Sequence, residues 1–265
     1  MLASRKFVGM RLGFAGAGNV ATALARGWAD AEHRPEAMFF CDAGSGRAAE
    51  LASRTGGEAV GSLAELAELS DAILLAVKPG SLETAATQLG GRGDAIASVL
   101  AGTPVARLRE VFPGVPVVRT MPTIAAEVQR GVICHAPLEP ADGEAGARLL
   151  NLFGELSHLV EVPDELMDAA MAVMGCPPAY LAVVVQNIAE AGAASGLDAD
   201  QAYELVLETF AGTIELLRRY DPIEVRSGVA SRGGATEAGL EALADAGVGD
   251  AFQAAVRASL ERMRP

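Results

Sequence analysis

A glycine-rich segment near the N-terminus has the spacing of a dinucleotide-binding turn. It follows the apolar run 11–15 and reads Gly16-Ala17-Gly18-Asn19-Val20-Ala21. Gly16 permits a tight turn, Gly18 lets the backbone approach a pyrophosphate, and Ala21 keeps the following helix close to its strand. The amides at the start of that helix would face the anion. A tight turn without a ligand is the alternative, but the strand–turn–helix context favours nucleotide binding.

Residues at the end of the second apolar run bear on which nucleotide binds. Asp42 follows the run 37–41, at a place where an acid hydrogen-bonds the adenosine ribose of NAD and disfavours a 2′-phosphate. Ser45 and Arg47 lie just beyond it, and a guanidinium matches the geometry of a phosphate. Asp42 could instead cap the turn that follows. The choice between NAD and NADP is therefore left open.

Lys78 is one of only two lysines in a chain with 21 basic residues. It follows the third apolar run, 72–77, and precedes Pro79. The carboxyl ends of parallel strands are where open α/β sheets bind ligands, so a cation there can meet a cofactor's charge or a substrate's carboxylate. An ordinary exposed lysine is the alternative.

A second glycine-rich segment lies between two helical stretches. It reads Ser231-Arg232-Gly233-Gly234-Ala235-Thr236. Successive backbone amides at the start of a helix form a small anion site, and the Thr236 hydroxyl can both donate and accept a hydrogen bond. The alternative is a simple Ser or Thr helix cap.

The cysteines and histidines form no catalytic or metal-ligating pattern. Cys41, Cys134 and Cys176 are widely spaced, without a CxxC pair, and the three histidines are equally scattered. We therefore expect no disulfide framework and no metal site.

The order of apolar runs predicts two domains. Over the first 162 residues, strand-like runs alternate with helical stretches, which predicts a parallel sheet covered on both faces. The predicted strands are 11–15, 37–41, 72–77, 95–100 and 115–119. Beyond Val162 only helical patterns occur. The sequence thus predicts an α/β Rossmann-like domain over 1–162 and an all-helical domain over 163–265.

Composition excludes several functional classes. The chain has 265 residues, 51% hydrophobic and 21% charged, with a formal net charge of −13, so it is expected to fold rather than stay disordered. Its acidity argues against a nucleic-acid binder, which needs a basic footprint. No apolar run approaches the ~20 residues of a membrane span, and residues 1–10 lack the apolar core of a signal peptide. These features predict a cytoplasmic protein that binds neither nucleic acid nor membrane.

Taken in order and spacing, several segments resemble the pyrroline-5-carboxylate reductase family, whose members reduce a cyclic imine to proline with NAD(P)H. The segments cover nearly the whole chain and read FAGAGNVATALARGW, LLAVKPG, VVRTMP, PPAYLAVVVQNIAEAGAASGLDADQAYEL and SRGGATEAGLEAL. The resemblance implies NADPH or NADH as cofactor and a cyclic imino acid as substrate. It also implies an obligate homodimer whose helical domains interlock and whose substrate loops come from the partner chain, with any larger assembly of dimers left open.

The resemblance also implies roles for single residues. Thr236 and Ser231 would act at the substrate, where the amides from Gly234 to Thr236 fix the carboxylate and the Thr236 hydroxyl orients the ring nitrogen. With Asp42 and Arg47, the cofactor-binding residues would be Gly16, Ala17, Gly18, Asn19, Val20, Ala76, Val77, Lys78, Pro79, Ala101, Gly102 and Met121.

Three departures from the family pattern leave the substrate open. Where the family usually reads Met-Pro-Asn-Thr-Pro-Ala, this chain has Thr123 in place of the asparagine; Arg232 replaces a proline, and Cys176 lies in an altered Ser-Gly-Ser-Gly segment. A reductase of another cyclic imine, an enzyme using a deazaflavin, and a non-catalytic nucleotide-binding scaffold therefore stay as alternatives. The nearest enzymatic alternative is a 3-hydroxyacid-type dehydrogenase, but the catalytic lysine of its interdomain helix has no counterpart in 179–194.

Overall fold

The computed structural model describes residues 9–263. The segment on which the signal-peptide prediction rests therefore lies almost wholly outside the described residues. Over residues 9–263 the chain divides into two units, one of residues 9–175 with 262–263 and one of residues 176–261.

The first unit is built on one eight-stranded sheet. The strands are β1 (Arg11–Ala15), β2 (Ala37–Cys41), β3 (Glu58–Ala59), β4 (Ala72–Leu75), β5 (Ala95–Ser98), β6 (Val117–Pro122), β7 (Gly131–His135) and β8 (Ser157–Glu161). Their order is β3-β2-β1-β4-β5-β6-β7-β8. The chain crosses from β1 to opposite sides of the sheet, to β2 on one side and β4 on the other, which makes a topological switch point at the end of β1.

Helices cover both faces of this sheet. They are α1 (Asn19–Ala29), α2 (Arg47–Thr55), α3 (Leu63–Leu69), α4 (Leu82–Leu89), α5 (Val105–Val111), α6 (Gly143–Gly154) and α7 (Met167–Met174). The central strands are buried on both sides, so their side chains enter two cores. Phe14 and Leu74 lie in one core, whereas Ile73 and Leu75 lie in the other. Trp28 of α1 anchors the first core, packing edge-on against Phe14 and donating its indole N–H to the Leu152 carbonyl.

The predicted parallel sheet is confirmed except at one pair of strands, β6 and β7. All other neighbouring strands pair in parallel, but β6 and β7 are antiparallel. The reason is the short connection between them, a 3-10 helix over Ile124–Val128 followed by Gln129 at φ 56°. A parallel return needs a crossover of a dozen residues or more, whereas this turn reverses the chain at once. The five predicted strands are all present, but β3, β7 and β8 were missed.

The first unit extends beyond residue 162, where strand-like patterns end. The 3-10 helix Asp164–Leu166 and α7 both belong to it. Met167 of α7 is fully buried and packs with Met121 of β6 and Cys134 of β7. A helix that follows the last strand has thus docked back onto the sheet, and the compact unit ends at Gly175.

The second unit contains helices only. They are α8 (Pro177–Ala194), α9 (Ala199–Leu217), α10 (Pro222–Val229), α11 (Ala235–Asp245) and α12 (Val248–Met263), whose last two residues belong to the first unit. Gly196, at φ 104°, ends the turn between α8 and α9, and the Asp198 carboxylate caps α9 by accepting from the Gln201 amide.

Many large apolar side chains of this helical unit are exposed. On α9, Tyr203, Leu207 and Ile214 are each at least 41% exposed and recur at the spacing of one helix face. The stretch Asp164–Ala194 is also long and apolar enough for a membrane span by length and composition, contrary to the prediction that no run approaches this length. It is interrupted at Gly175 and Cys176, between α7 and α8.

Candidate functional site

The turn after β1 fits tightly against the neighbouring strand. Gly16 has φ 110°, a conformation that favours glycine, and its amide donates to the Cys41 carbonyl at 2.8 Å. A Cβ on Gly16 would collide with the carbonyl oxygen of Ala76, which directly follows β4. Glycine is therefore required here by both the turn and the close approach of two chain segments.

Gly18 has a different surrounding. A Cβ at this position would meet no atom within 4 Å, so the backbone faces open space. The first bond of α1 runs from the Thr22 amide to the Gly18 carbonyl, which leaves the amides of Asn19 and Val20 without helical partners. The arrangement suits a pyrophosphate lying across Gly18 at the start of α1.

The Asp42 carboxylate is engaged with its own loop. It accepts hydrogen bonds from the Ser45 hydroxyl at 2.6 Å, the Gly44 amide at 2.8 Å and the Ala48 amide at 3.0 Å. These bonds, the one from Ser45 foremost, lower the pKa of Asp42 below its ordinary value. The turn-capping alternative for Asp42 is therefore the one present in this structure.

Arg47 lies beside the glycine turn. It lines a cavity of about 340 Å³ together with Gly18, Asn19, Val20, Ala21, Ala76, Val77 and Val99. Its guanidinium is exposed, and no carboxylate within residues 9–263 forms an ion pair with it. Arg54, two turns later on the same face of α2, lines an adjoining cavity together with Arg47 but is paired with Glu50 at 2.8 Å. Arg47 is thus the free cation of this region of α2.

Lys78 faces a second, larger cavity on the other side of the turn. This cavity has a volume of about 780 Å³, and its lining includes Gly16, Asp42, Val77 and Lys78. Lys78 is exposed, and no acidic partner for it occurs in the part of the chain that the structure describes. The groove around the turn therefore combines free helix amides with two unpaired cations, which fits the charge of a dinucleotide.

Ala101, Gly102 and Met121 lie at the carboxyl ends of the adjacent strands β5 and β6. Met121 is buried, and Ala101 packs against the cluster that Met121 forms with Met167. Gly102 is exposed at φ 65°. The Met121 side chain therefore faces the protein interior.

Next to the Gly102 loop and the end of β6 lies a charged cluster that was not predicted from the sequence. Arg119 of β6 is 3% exposed, and its guanidinium pairs with Asp164 at 2.8 Å and with Asp168 at 3.2 Å. The signal that could have found it is a lone arginine inside the apolar run VVRTM. A buried charge needs partners, and these came from a segment 45 residues later, which no local pattern indicates.

The second glycine-rich segment does open a helix. Gly233 has φ 71°, Gly234 is the N-cap of α11, and Ser231 and Thr236 are exposed. The sequence predicted that the Gly234 amide is available to an anion. In the structure this amide donates to the Ser231 carbonyl at 2.9 Å. The amides of Ala235 and Thr236, in the first helical turn, remain as the donors for an anion.

Around this loop, the Gly233 amide donates to the Glu237 carboxylate at 2.6 Å. All the cofactor-binding candidates lie in the first unit, and all the substrate-binding candidates lie in the second.

Thr123, which replaces the family's asparagine, turns its hydroxyl inward. That hydroxyl accepts a hydrogen bond from the Val132 amide of β7 at 3.2 Å, and the residue is buried. Thr123 therefore braces the reversal between β6 and β7. Within residues 9–263 no cluster of ligating side chains could hold a metal ion.

Comparison with known proteins gives matches along nearly the whole chain. A family model described as pyrroline-5-carboxylate reductase dimerisation matches residues 164–265, and one described as coenzyme F420-dependent NADP oxidoreductase matches residues 11–102. A pyrroline-5-carboxylate reductase from Synechocystis is 33% identical, covering 96% of this chain and 97% of its own length. One from Thermus thermophilus is 31% identical, with 96% and 97% covered.

Solved structures of pyrroline-5-carboxylate reductases match this chain over nearly its full length. The chain matches the Plasmodium falciparum pyrroline carboxylate reductase with NADP bound at a TM-score of 0.86 and 25% identity, covering 96% of this chain and 97% of that one. The Streptococcus pyogenes 1-pyrroline-5-carboxylate reductase has a TM-score of 0.87 at 23% identity, with 97% and 98% covered, and it supports the fold.

Alanine at the two glycines of the turn should have different effects. Gly18→Ala should leave the melting temperature unchanged, because its Cβ meets no atom, but weaken NADPH binding roughly tenfold or more by blocking the close approach of a pyrophosphate. Gly16→Ala should lower the melting temperature as well, because it combines a clash with a strained φ. Thermal unfolding and NADPH titration by calorimetry measure both. Equal NADPH affinity in Gly18→Ala and the unmodified protein would exclude the turn as the pyrophosphate site.

Proposed function

The chain belongs to the pyrroline-5-carboxylate reductase family, and from that premise we propose that it reduces 1-pyrroline-5-carboxylate to L-proline with NAD(P)H. The observation that carries the proposal is a near full-length match to named reductases, combined with an open cradle at Gly18 and a free-amide loop at Ala235 and Thr236. A scaffold that only binds nucleotide would need the open space at Gly18 but not the free amides at Ala235 and Thr236.

The cofactor, when bound, supplies a hydride to the carbon of the substrate's C=N bond. The amides of Asn19 and Val20 hold the pyrophosphate, while Lys78 offsets its charge. The loop at Gly102 and the end of β6 at Met121 receive the nicotinamide end. A protonated cyclic imine is already electrophilic, so the chain's main contribution is orientation, which can supply roughly 7 kcal/mol or more.

On the substrate side, the Ala235 and Thr236 amides bind the carboxylate at the start of α11. The Thr236 hydroxyl orients the ring nitrogen, and Ser231 supplies a second hydroxyl on the preceding turn. Both side chains are exposed and free to reach a ligand.

The groove around the glycine turn after β1 favours NADPH over NADH. Asp42 has its carboxylate engaged by three donors of its own loop, whereas Arg47, beside the turn, has no ion-pair partner within residues 9–263. A guanidinium without a carboxylate partner is suited to a 2′-phosphate.

The chain carries a dimerisation domain, and we propose a homodimer. The exposed apolar face of α9 supports this, because large exposed apolar patches mark interaction surfaces. The three cysteines are all free, which supports a reducing, cytoplasmic location.

The central test is NADPH oxidation with 1-pyrroline-5-carboxylate, measured at 340 nm. Thr236→Ala should lower kcat roughly 10- to 100-fold by losing orientation of the ring nitrogen, with the KM for NADPH unchanged. Thr236→Ser should retain turnover, and Thr213→Ala on α9 is the matched control. Activity only on a six-membered imine would assign another substrate, and NADPH binding without turnover of any imine would favour a scaffold.

Cofactor preference is tested with Arg47→Ala. The KM for NADPH should rise roughly tenfold or more through loss of a charge-assisted contact, whereas the KM for NADH should hardly change. Arg54→Ala, an exposed arginine of the same helix that is already paired with Glu50, is the control and should alter neither constant. A parallel rise in both constants would contradict a 2′-phosphate contact.

The assembly is tested by light scattering after size exclusion. We expect twice the chain's 27.1 kDa, and Leu207→Glu should yield monomer because it places a charge on the apolar face of α9. Val128→Glu is a control at an exposed valine of the first unit. A monomer for the unmodified protein would refute the homodimer.

A further inference from the structure

The buried arginine of β6 is connected to both ends of the loop that follows β5. Asp164, the first partner of Arg119, accepts the Val105 amide at 3.0 Å, and Asp168, the second, accepts the Gly102 amide at 3.4 Å. Arg119 also donates to the main-chain carbonyl of Asp164 at 3.1 Å. One guanidinium thus fixes two carboxylates, and each carboxylate holds one end of the loop 101–105.

The segment that carries Asp164 and Asp168 also contacts the end of β6 at Met121. Asp164 and Asp168 flank the start of α7, whose Met167 packs against Met121. Arg119 lies two residues before Met121 on β6, so the strand itself ties the cluster to that position. The loop at Gly102 and the strand end at Met121 are therefore held by one set of contacts.

Stability alone does not account for this cluster. A buried ion pair loses hydration on both partners, and an apolar replacement of similar volume is often as stable. The Nε atom of Arg119 is buried and has no hydrogen-bond partner among the described residues 9–263, which adds to the desolvation cost. What the cluster provides is a fixed geometry, because the planar guanidinium sets where both carboxylates, and hence both amides, lie.

We propose that Arg119, Asp164 and Asp168 are positioning residues that hold the Gly102 loop in the shape that receives the nicotinamide. They act through the loop and do not touch the substrate. The inference rests on the proposed function only for the identity of the reaction, since the cofactor contact can be measured by binding alone.

The chain contains a matched control for this cluster. Arg109 pairs with Asp142 at 2.9 Å, Asp142 is 1% exposed, and the Arg109 Nε is likewise buried without a partner. The amides that Asp142 accepts are those of Val117 and Glu139, not those of the Gly102 loop. Both clusters lie in the first unit and contain a buried arginine Nε. The difference between them is which backbone amides their carboxylates hold.

The first experiment compares the binding of NADPH with that of 2′-phospho-ADP-ribose, which lacks the nicotinamide. Asp168→Ala should weaken NADPH binding several-fold and leave the affinity for the fragment unchanged; Asp168 is 35% exposed, so this variant is expected to fold. Arg119→Lys should act in the same direction. Arg109→Lys should lower the melting temperature while leaving both affinities unchanged.

The second experiment measures turnover and the primary deuterium isotope effect on the transferred C4 hydrogen. In Asp168→Ala, kcat should fall roughly 10- to 100-fold, because misplacement of about 1 Å has this effect, and the isotope effect should rise as hydride transfer becomes limiting. Equal losses in Arg109→Lys, or equal weakening of NADPH and fragment, would overturn the positioning role. A protein that never reduces an imine would refute the proposed function, while the binding comparison would still decide the role of the cluster.

Discussion

The close approach of Gly16 to the Ala76 carbonyl is the constraint on which the site depends. It lets β1 and β4 end side by side while the chain turns directly into α1. Because the strands on either side of β1 run to opposite halves of the sheet, the end of β1 opens into a groove. The free amides of α1, Arg47 and Lys78 all face space that this turn creates. Any side chain at position 16 would force the two segments apart.

The strong negative charge of the chain is compatible with binding anions because the donors are local. A formal net charge of −13 acts against extended polyanions, whose binding depends on many basic contacts. A dinucleotide or a single carboxylate needs only a few donors at fixed positions. Backbone amides at the starts of α1 and α11 provide these without adding positive charge. Arg47 and Lys78, which have no ion-pair partner among the described residues, then act at short range.

The sequence predicted the parts of the fold whose causes are local. Strand β1 follows from an apolar run and was predicted with its observed bounds, 11–15. The turn after it follows from the glycine spacing, although α1 begins at Asn19, inside the glycine-rich segment. Strands β7 and β8 were missed, because their existence depends on the reversal at Gln129 and on pairing across the sheet. Arg119 was missed for the same reason, since its partners lie far along the chain. Asp42 was identified, but only the structure shows that its carboxylate is engaged by its own loop.

The central claim is that backbone amides at the start of α1 bind the cofactor's pyrophosphate. Hydrogen–deuterium exchange of the full-length protein with and without NADPH tests it most directly, because amides that donate to a bound phosphate exchange more slowly. We predict that protection on NADPH addition is greatest in peptides that contain Gly18, Asn19 and Val20, with weaker protection around Lys78. Unchanged exchange at residues 18–20 under saturating NADPH would contradict the account.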